Sequence, residues 1–275
     1  MRPSARVLDL FAVPDLVEPL AGGQSRTVRV GDLVLSPDRD PATQEWLSPL
    51  IARLAVDLDQ DPMRRRQDLR IAVPVPARDG SWVVEGWAAS RYEPGTAPCR
   101  DLDVILAAGH LLHARLATAV HERPAHLDAR TDRWFAAELV AFDEAPMPDV
   151  EPELARLVAR VRRAMQADAG AGGAQLVHAN LAGNVLLDKA GAPVVIDLSP
   201  AWRPVLWADA VCVLDAVLWA GASPAVLARW NHGPERTAML RAIVFRLLGD
   251  TRPDVEAYAD VLSSLTAAAT DGSGG

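Results

Sequence analysis

Apolar positions along this chain change their rhythm near residue 95. Before that point they come in short runs divided by turn residues, the spacing expected of β-strands. Leu16 to Leu20 predicts one strand, Thr27 to Val30 a second and Leu33 to Ser36 a third, with Gly31-Asp32 as the tight turn between the last two. Pro41 to Leu54 breaks this pattern by placing Trp46, Leu50, Ile51 and Leu54 on one helical face. Leu69 to Pro76 and Trp82 to Ala89 predict a hairpin about Arg78-Asp79-Gly80. Arg91-Tyr92-Glu93-Pro94-Gly95 then closes the β-rich stretch as a linker.

Beyond residue 95 the spacing is mostly helical. Leu102 to Val120 carries Leu106, Leu111, Leu112 and Leu116 at helical period, and Trp134 to Asp143 and Pro152 to Ala167 predict two further helices. Helices return at Trp207 to Ala220, Ser223 to Trp230, Glu235 to Leu248 and Asp254 to Ala268. Between the two helical groups lies Leu176 to Pro200, which reads as a strand, a polar loop, a short hairpin and a strand ending in Asp197. The expected class is α+β, with a small β-rich lobe over 1–94 and a larger helical lobe over 95–270 that holds the hairpin. Residues 271–275 form a tail expected to be disordered. There is no internal repeat.

Composition narrows the function classes. A chain of 275 residues, half of them apolar and 23% charged, can build a substantial core. Its net charge of −8 argues against general nucleic-acid binding, which needs a basic face. The two cysteines, Cys99 and Cys212, make neither a disulfide framework nor a metal site. The first residues lack the apolar core of a signal peptide. The most apolar segment, Ala208 to Ala228, is interrupted by Asp209, Asp215 and Pro224, so no membrane span is expected. The expected location is the cytoplasm.

The candidate chemistry sits in the central stretch. A loop asparagine, Asn184, followed by a strand-end carboxylate, Asp197, supplies the hard oxygen donors that hold Mg²⁺ against nucleotide phosphates. On spacing alone, each would also serve as an ordinary turn residue. His110 and His113 share a helix without a third ligand, so a metal site there is not expected. Arg64-Arg65-Arg66 reads as a solvated face. Trp202, Trp207 and Trp219 read as packing residues, and Asp209 and Asp215 as braces of their helix.

His178-Ala179-Asn180-Leu181-Ala182-Gly183-Asn184-Val185-Leu186-Leu187 resembles the H-G-D-L-x-x-x-N-V-L loop of aminoglycoside phosphotransferases and their choline-kinase-like relatives. Val194-Val195-Ile196-Asp197 resembles the strand that comes after that loop. Val17 to Gly23 resembles the first strand and glycine loop, and Gly109-His110-Leu111-Leu112-His113 an early helix of the larger lobe. Pro19-Leu20-Ala21-Gly22-Gly23-Gln24, and Ile196-Asp197-Leu198-Ser199-Pro200 with Trp202-Arg203-Pro204, resemble an actinobacterial branch of this superfamily. The resemblance spans nearly the whole chain and implies the bilobal protein-kinase-like fold, with ATP and Mg²⁺ as cofactors. It implies phosphate contact from Gly22 and Gly23, metal ligation by Asn184 and Asp197, a structural role for His178, and an adenine-facing linker at Tyr92 to Gly95.

Three departures stand out within that resemblance. Asn180 occupies the position of the catalytic aspartate, and an amide cannot accept the proton of a substrate hydroxyl, a loss of about 10²–10⁴-fold. Ser36 stands where the third strand should carry the phosphate-binding lysine. The chain's one lysine, Lys189, lies in the hairpin and cannot replace it. Arg26 or Arg29 is the expected substitute, with Glu45 as its partner. Third, the loop from Asn180 to Asn184 is one residue shorter than in the family pattern. The leading expectation is therefore a phosphotransferase-like protein with a degenerate site and weak or no kinase activity. An active small-molecule phosphotransferase and a cleft repurposed for other chemistry are the alternatives. The partner is a small-molecule substrate or another protein, with neither nucleic acid nor membrane involved.

Overall fold

The computed structural model describes residues 1–20, 26–65, 67–165 and 172–267. Gly22 and Gly23 of the expected glycine loop, and the tail 271–275, lie outside the described residues. The chain divides into two compact units: residues 1–99, 124–128 and 183–198 form the first, and residues 100–123, 129–182 and 199–275 the second.

The first unit begins with a short helix, α1 (Ala5–Leu10), which the spacing of the first residues does not announce. Ser4 caps it by accepting from the Val7 N–H, and Val7 and Leu8 are buried. Strands β1 (Val17–Pro19), β2 (Val28–Val30) and β3 (Leu33–Ser36) form an antiparallel meander. The long helix α2 (Pro41–Gln60) starts at Asp40, whose carboxylate accepts from the Thr43 N–H at 2.7 Å, with Pro41 in the first turn, where its missing N–H costs nothing.

Short strands β4 (Arg70–Ile71) and β5 (Pro74–Val75) come next, then β6 (Ala88–Arg91) and β7 (Ala97–Pro98). One sheet has the order β1-β2-β3-β6-β5. Its core joins Val7, Leu8 and Phe11 of the N-terminal segment to Val28, Val30, Leu33, Leu35 and Trp87. The hairpin expected between Leu69 to Pro76 and Trp82 to Ala89 is only partly realised. Pro74 pairs with Ser90 and Val75 with Ala89, while Val84 and Trp87 meet in an isolated bridge. Alternation of apolar residues marks which segments are extended but not their register, which the connecting turns decide.

The second sheet of this unit has the order β4-β10-β9-β7, with β9 (Val185–Leu187) and β10 (Pro193–Val195) forming the hairpin of the central stretch. This corrects the expected lobe boundary. The hairpin does not belong to the helical part of the chain, because β10 pairs in parallel with β4 and β9 pairs with β7.

The second unit is built on helices. They are α3 (Leu102–Ala119), α5 (Arg133–Ala141), α6 (Pro152–Ala164), α7 (Val205–Trp219), α8 (Gly233–Gly249) and α9 (Val255–Ala267), with a 3₁₀ segment at Pro224–Trp230. A short helix, α4 (Ala125–Asp128), belongs to the first unit. Strands β8 (Gln175–His178) and β11 (Pro200–Arg203) pair antiparallel, His178 opposite Pro200. The core here is larger and centres on α7 and α8, where Phe142, Trp207, Phe245 and Trp134 make successive edge or tilted ring contacts. Arg203 is a buried charge of this core. It pairs with the buried Glu138 at 2.7 Å and with both oxygens of Glu144, so its desolvation is offset by three charge-assisted hydrogen bonds.

Candidate functional site

In the helical unit, the segment after β8 is held from behind. His178 is fully buried, and its Nδ1 accepts from the backbone N–H groups of Asn180 at 3.2 Å and Ser199 at 3.3 Å. The backbone N–H of His178 in turn donates to Nε2 of His113 at 3.1 Å. A backbone N–H can only donate, so His113 carries its proton on Nδ1, which is buried with no hydrogen-bond partner among the described residues. Burial, with His178 and His110 nearby, pushes the His113 pKa down to about 3 and keeps the ring neutral. Helix α3 approaches so closely that a Cβ on Gly109 would stand 2.5 Å from Cδ2 of Leu181. The histidine at 178 thus shapes the loop.

Asn180, at the expected base position, faces Arg246 of α8. Arg246 Nη2 donates to Asn180 Oδ1 at 2.8 Å, and the same guanidinium donates through Nε to Asp215 Oδ1 at 2.8 Å and through Nη2 to Asp215 Oδ2. Arginine has no acceptor, so this contact fixes the amide's orientation: the oxygen is taken by Arg246, and the other end is a donor. Burial pushes the Asp215 carboxyl up from its ordinary value, against the pull of Arg246. Sequence reasoning assigned Asp215 to bracing a helix and passed over Arg246. The 66-residue separation of Arg246 from Asn180 left no local signal. Elsewhere in this unit, His110 Nε2 lies 2.8 Å from the Asp209 carboxylate, whose pKa burial raises.

In the β-rich unit, Asn184 and Asp197 flank one end of the β9–β10 hairpin. Val185 lies opposite Val195, and the Asn184 carbonyl accepts from the Ile196 N–H at 2.9 Å. Asp197 adopts a left-handed backbone, φ +49°, a conformation rare for residues other than glycine but tolerated by aspartate and asparagine. Its Oδ1 lies 2.6 Å from Nη2 of Arg39.

Arg39 comes after β3, three residues beyond Ser36. Arg26 pairs with Asp38. Arg29 lies 3.4 Å from Glu18, donates to the Gly31 carbonyl and covers the Tyr92 ring. Glu45 is exposed and accepts from the Trp82 N–H at 3.3 Å, so the expected pairing of Glu45 with Arg26 or Arg29 is not formed. Ser36 closes β3 opposite Ala88. In the linker, Glu93 is tied to Arg70, and Gly95 lies against the Lys189 side chain.

The donors at Asn184 and Asp197 have the right chemistry for a hard cation, but their surroundings do not fit one. An ion on Asp197 would sit beside the Arg39 guanidinium. Two unit charges about 4 Å apart at an effective dielectric of about 20 repel by about 4 kcal/mol, and a divalent ion doubles this before solvent screening. With Oδ1 engaged by Arg39, an ion at Asp197 would have to share the carboxylate with that guanidinium. Among the described residues no group of three His, Cys, Asp or Glu side chains gathers to hold a metal. No described helix is long and apolar enough to cross a membrane.

No family model matches the chain, and no curated protein matches it. Solved structures do. Choline kinase LicA from Streptococcus pneumoniae aligns at 15% identity over 95% of this chain and 96% of that one, with a TM-score of 0.49. The microcompartment-associated aminopropanol kinase aligns at 19% identity over 94% and 92%, with a TM-score of 0.49. APH(2")-IIa, solved in complex with gentamicin, aligns at 14% identity over 96% of each chain, with a TM-score of 0.50. At 14% identity the likeness to APH(2")-IIa speaks to architecture alone, and that architecture is the kinase-like fold.

Proposed function

We propose that this chain is a phosphotransferase-like protein with a degenerate transfer site, which binds a nucleotide and turns it over weakly or not at all. The observation that carries this reading is the hydrogen bond from Arg246 to the side-chain oxygen of Asn180. The group that should take a substrate's proton is an amide with its acceptor already engaged. General-base assistance of about 10²–10⁴-fold is therefore absent. Positioning and charge neutralisation, which dominate phosphoryl transfer, still allow binding and a slow residual rate. The motif resemblance at Asn184 and Asp197, with the shared fold, supports nucleotide as the ligand.

The test is calorimetric titration of the folded chain with ATP, paired with an assay of ADP release. Micromolar binding is expected, with release at background in the natural sequence and at least about 10²-fold faster in Asn180→Asp, Ser36→Lys. Absence of ATP binding would remove the reading. Rapid release by the natural sequence, unaltered in the double variant, would make the chain an active phosphotransferase instead.

A further inference from the structure

We infer that Arg39, in place of a divalent metal ion, is the cation that meets the phosphate groups of a ligand beside Asp197, so that nucleotide binds this chain without Mg²⁺. The inference rests on the reading of the chain as a nucleotide-binding protein and adds which charge does the binding.

Arg39 is placed for this role by its own backbone. Its N–H donates to the Gly86 carbonyl at 2.9 Å. The residue after it, Asp40, caps α2 through Thr43, and the residue before it, Asp38, takes Arg26. The segment is tied on both sides, and the Arg39 side chain is only 22% exposed. A guanidinium has five N–H donors in a planar fork that matches phosphate oxygens. In the contact with Asp197, Nη2 of that fork lies 2.6 Å from Oδ1. The strand position that should carry a lysine holds Ser36, and Arg26 and Arg29 are engaged by Asp38 and Glu18. Arg39 is thus the cation already seated at Asp197.

This arrangement reverses the part Asp197 plays. In a metal-dependent site the carboxylate holds the ion and so recruits the phosphates. Here the carboxylate is the counter-ion of Arg39, and an incoming phosphate must share the guanidinium with it. Asp197 then competes with the ligand, and removing its charge strengthens binding. The two arrangements give opposite signs for one substitution. Asp197→Asn suits the comparison, because asparagine accepts the left-handed backbone at this position and nearly preserves the side chain's shape.

The experiment titrates ATP into the full chain, Asp197→Asn and Arg39→Ala, each in EDTA and in Mg²⁺, after thermal melting has shown which proteins are folded. The natural sequence is expected to bind equally, within about threefold, in the two buffers. In EDTA, Asp197→Asn is expected to bind several-fold tighter and Arg39→Ala at least about tenfold weaker, the loss of charge-assisted hydrogen bonds. Should Arg39→Ala fail to fold, the sign of the Asp197→Asn change decides alone. Binding that needs Mg²⁺ and is weakened by Asp197→Asn would overturn the inference while leaving the nucleotide reading intact. No ATP binding by the folded natural chain in either buffer would overturn both.

Discussion

Arg246 grips Asn180 and Asp215 at once: its Nη2 donates to the Asn180 amide oxygen at 2.8 Å, and its Nε donates to Asp215 at 2.8 Å. The loop residue at the expected base position is thereby joined to a buried ion pair that lies between α7 and α8. Since Asp215 and Arg246 are 6% and 7% exposed, neither is supported by bulk water.

Removing one partner of that pair should be far worse than removing both. Arg246→Leu leaves the Asp215 carboxylate buried and unpaired, at a cost of about 3–5 kcal/mol. Arg246→Leu with Asp215→Leu should recover much of this. Urea denaturation of the two variants checks it; a single variant as stable as the natural chain would show that the pair does not carry this weight.

Stability should also fall on mild acidification because of His113. The folded pKa is about 3, below the ordinary value of 6.5, so between those values the unfolded chain binds a proton that the folded chain refuses. This contribution is complete above pH 6.5 and is lost as the pH falls towards 3. From pH 6.5 to 5 the loss should be about 2 kcal/mol. Denaturation curves across that window, compared with His113→Gln, would test it. An identical slope in the variant would acquit His113.

Gly249, the last residue of α8, marks a close approach in the helical core. A Cβ there would stand 2.1 and 2.3 Å from ring atoms of Trp134. An indole fixed between Phe245 and its neighbours cannot swing aside as a flexible chain end would. Gly249→Ala should therefore destabilise by about 1–3 kcal/mol, despite alanine's better helix propensity. A thermal melt at or above that of the natural chain would contradict the packing argument.

How far the sequence carried the reading depended on whether each signal was local. The period of Trp46, Leu50, Ile51 and Leu54 announced α2, and Gly31-Asp32 announced the turn between β2 and β3, because both patterns are set by adjacent residues. The motif at His178 to Asp197 is legible for the same reason, being set by neighbouring residues. Arg39 was missed because Ser36-Pro37-Asp38-Arg39-Asp40 has no periodicity and looks like an ordinary connection. Its partner Asp197 lies 158 positions further along. The exchange of the β9–β10 hairpin into the β-rich unit was equally hidden, since it depends on pairing with Arg70-Ile71 and Ala97-Pro98.

The bracing of the loop from behind has an evolutionary corollary. His178, His113 and the bare Cα of Gly109 hold the backbone around position 180 through contacts that do not involve its side chain. The backbone there is therefore held independently of which side chain stands at position 180. Asparagine and aspartate codons differ by one base, whereas serine to lysine takes more than one. Of the departures at Asn180 and Ser36, the one at Asn180 is therefore within a single mutational step of reversal.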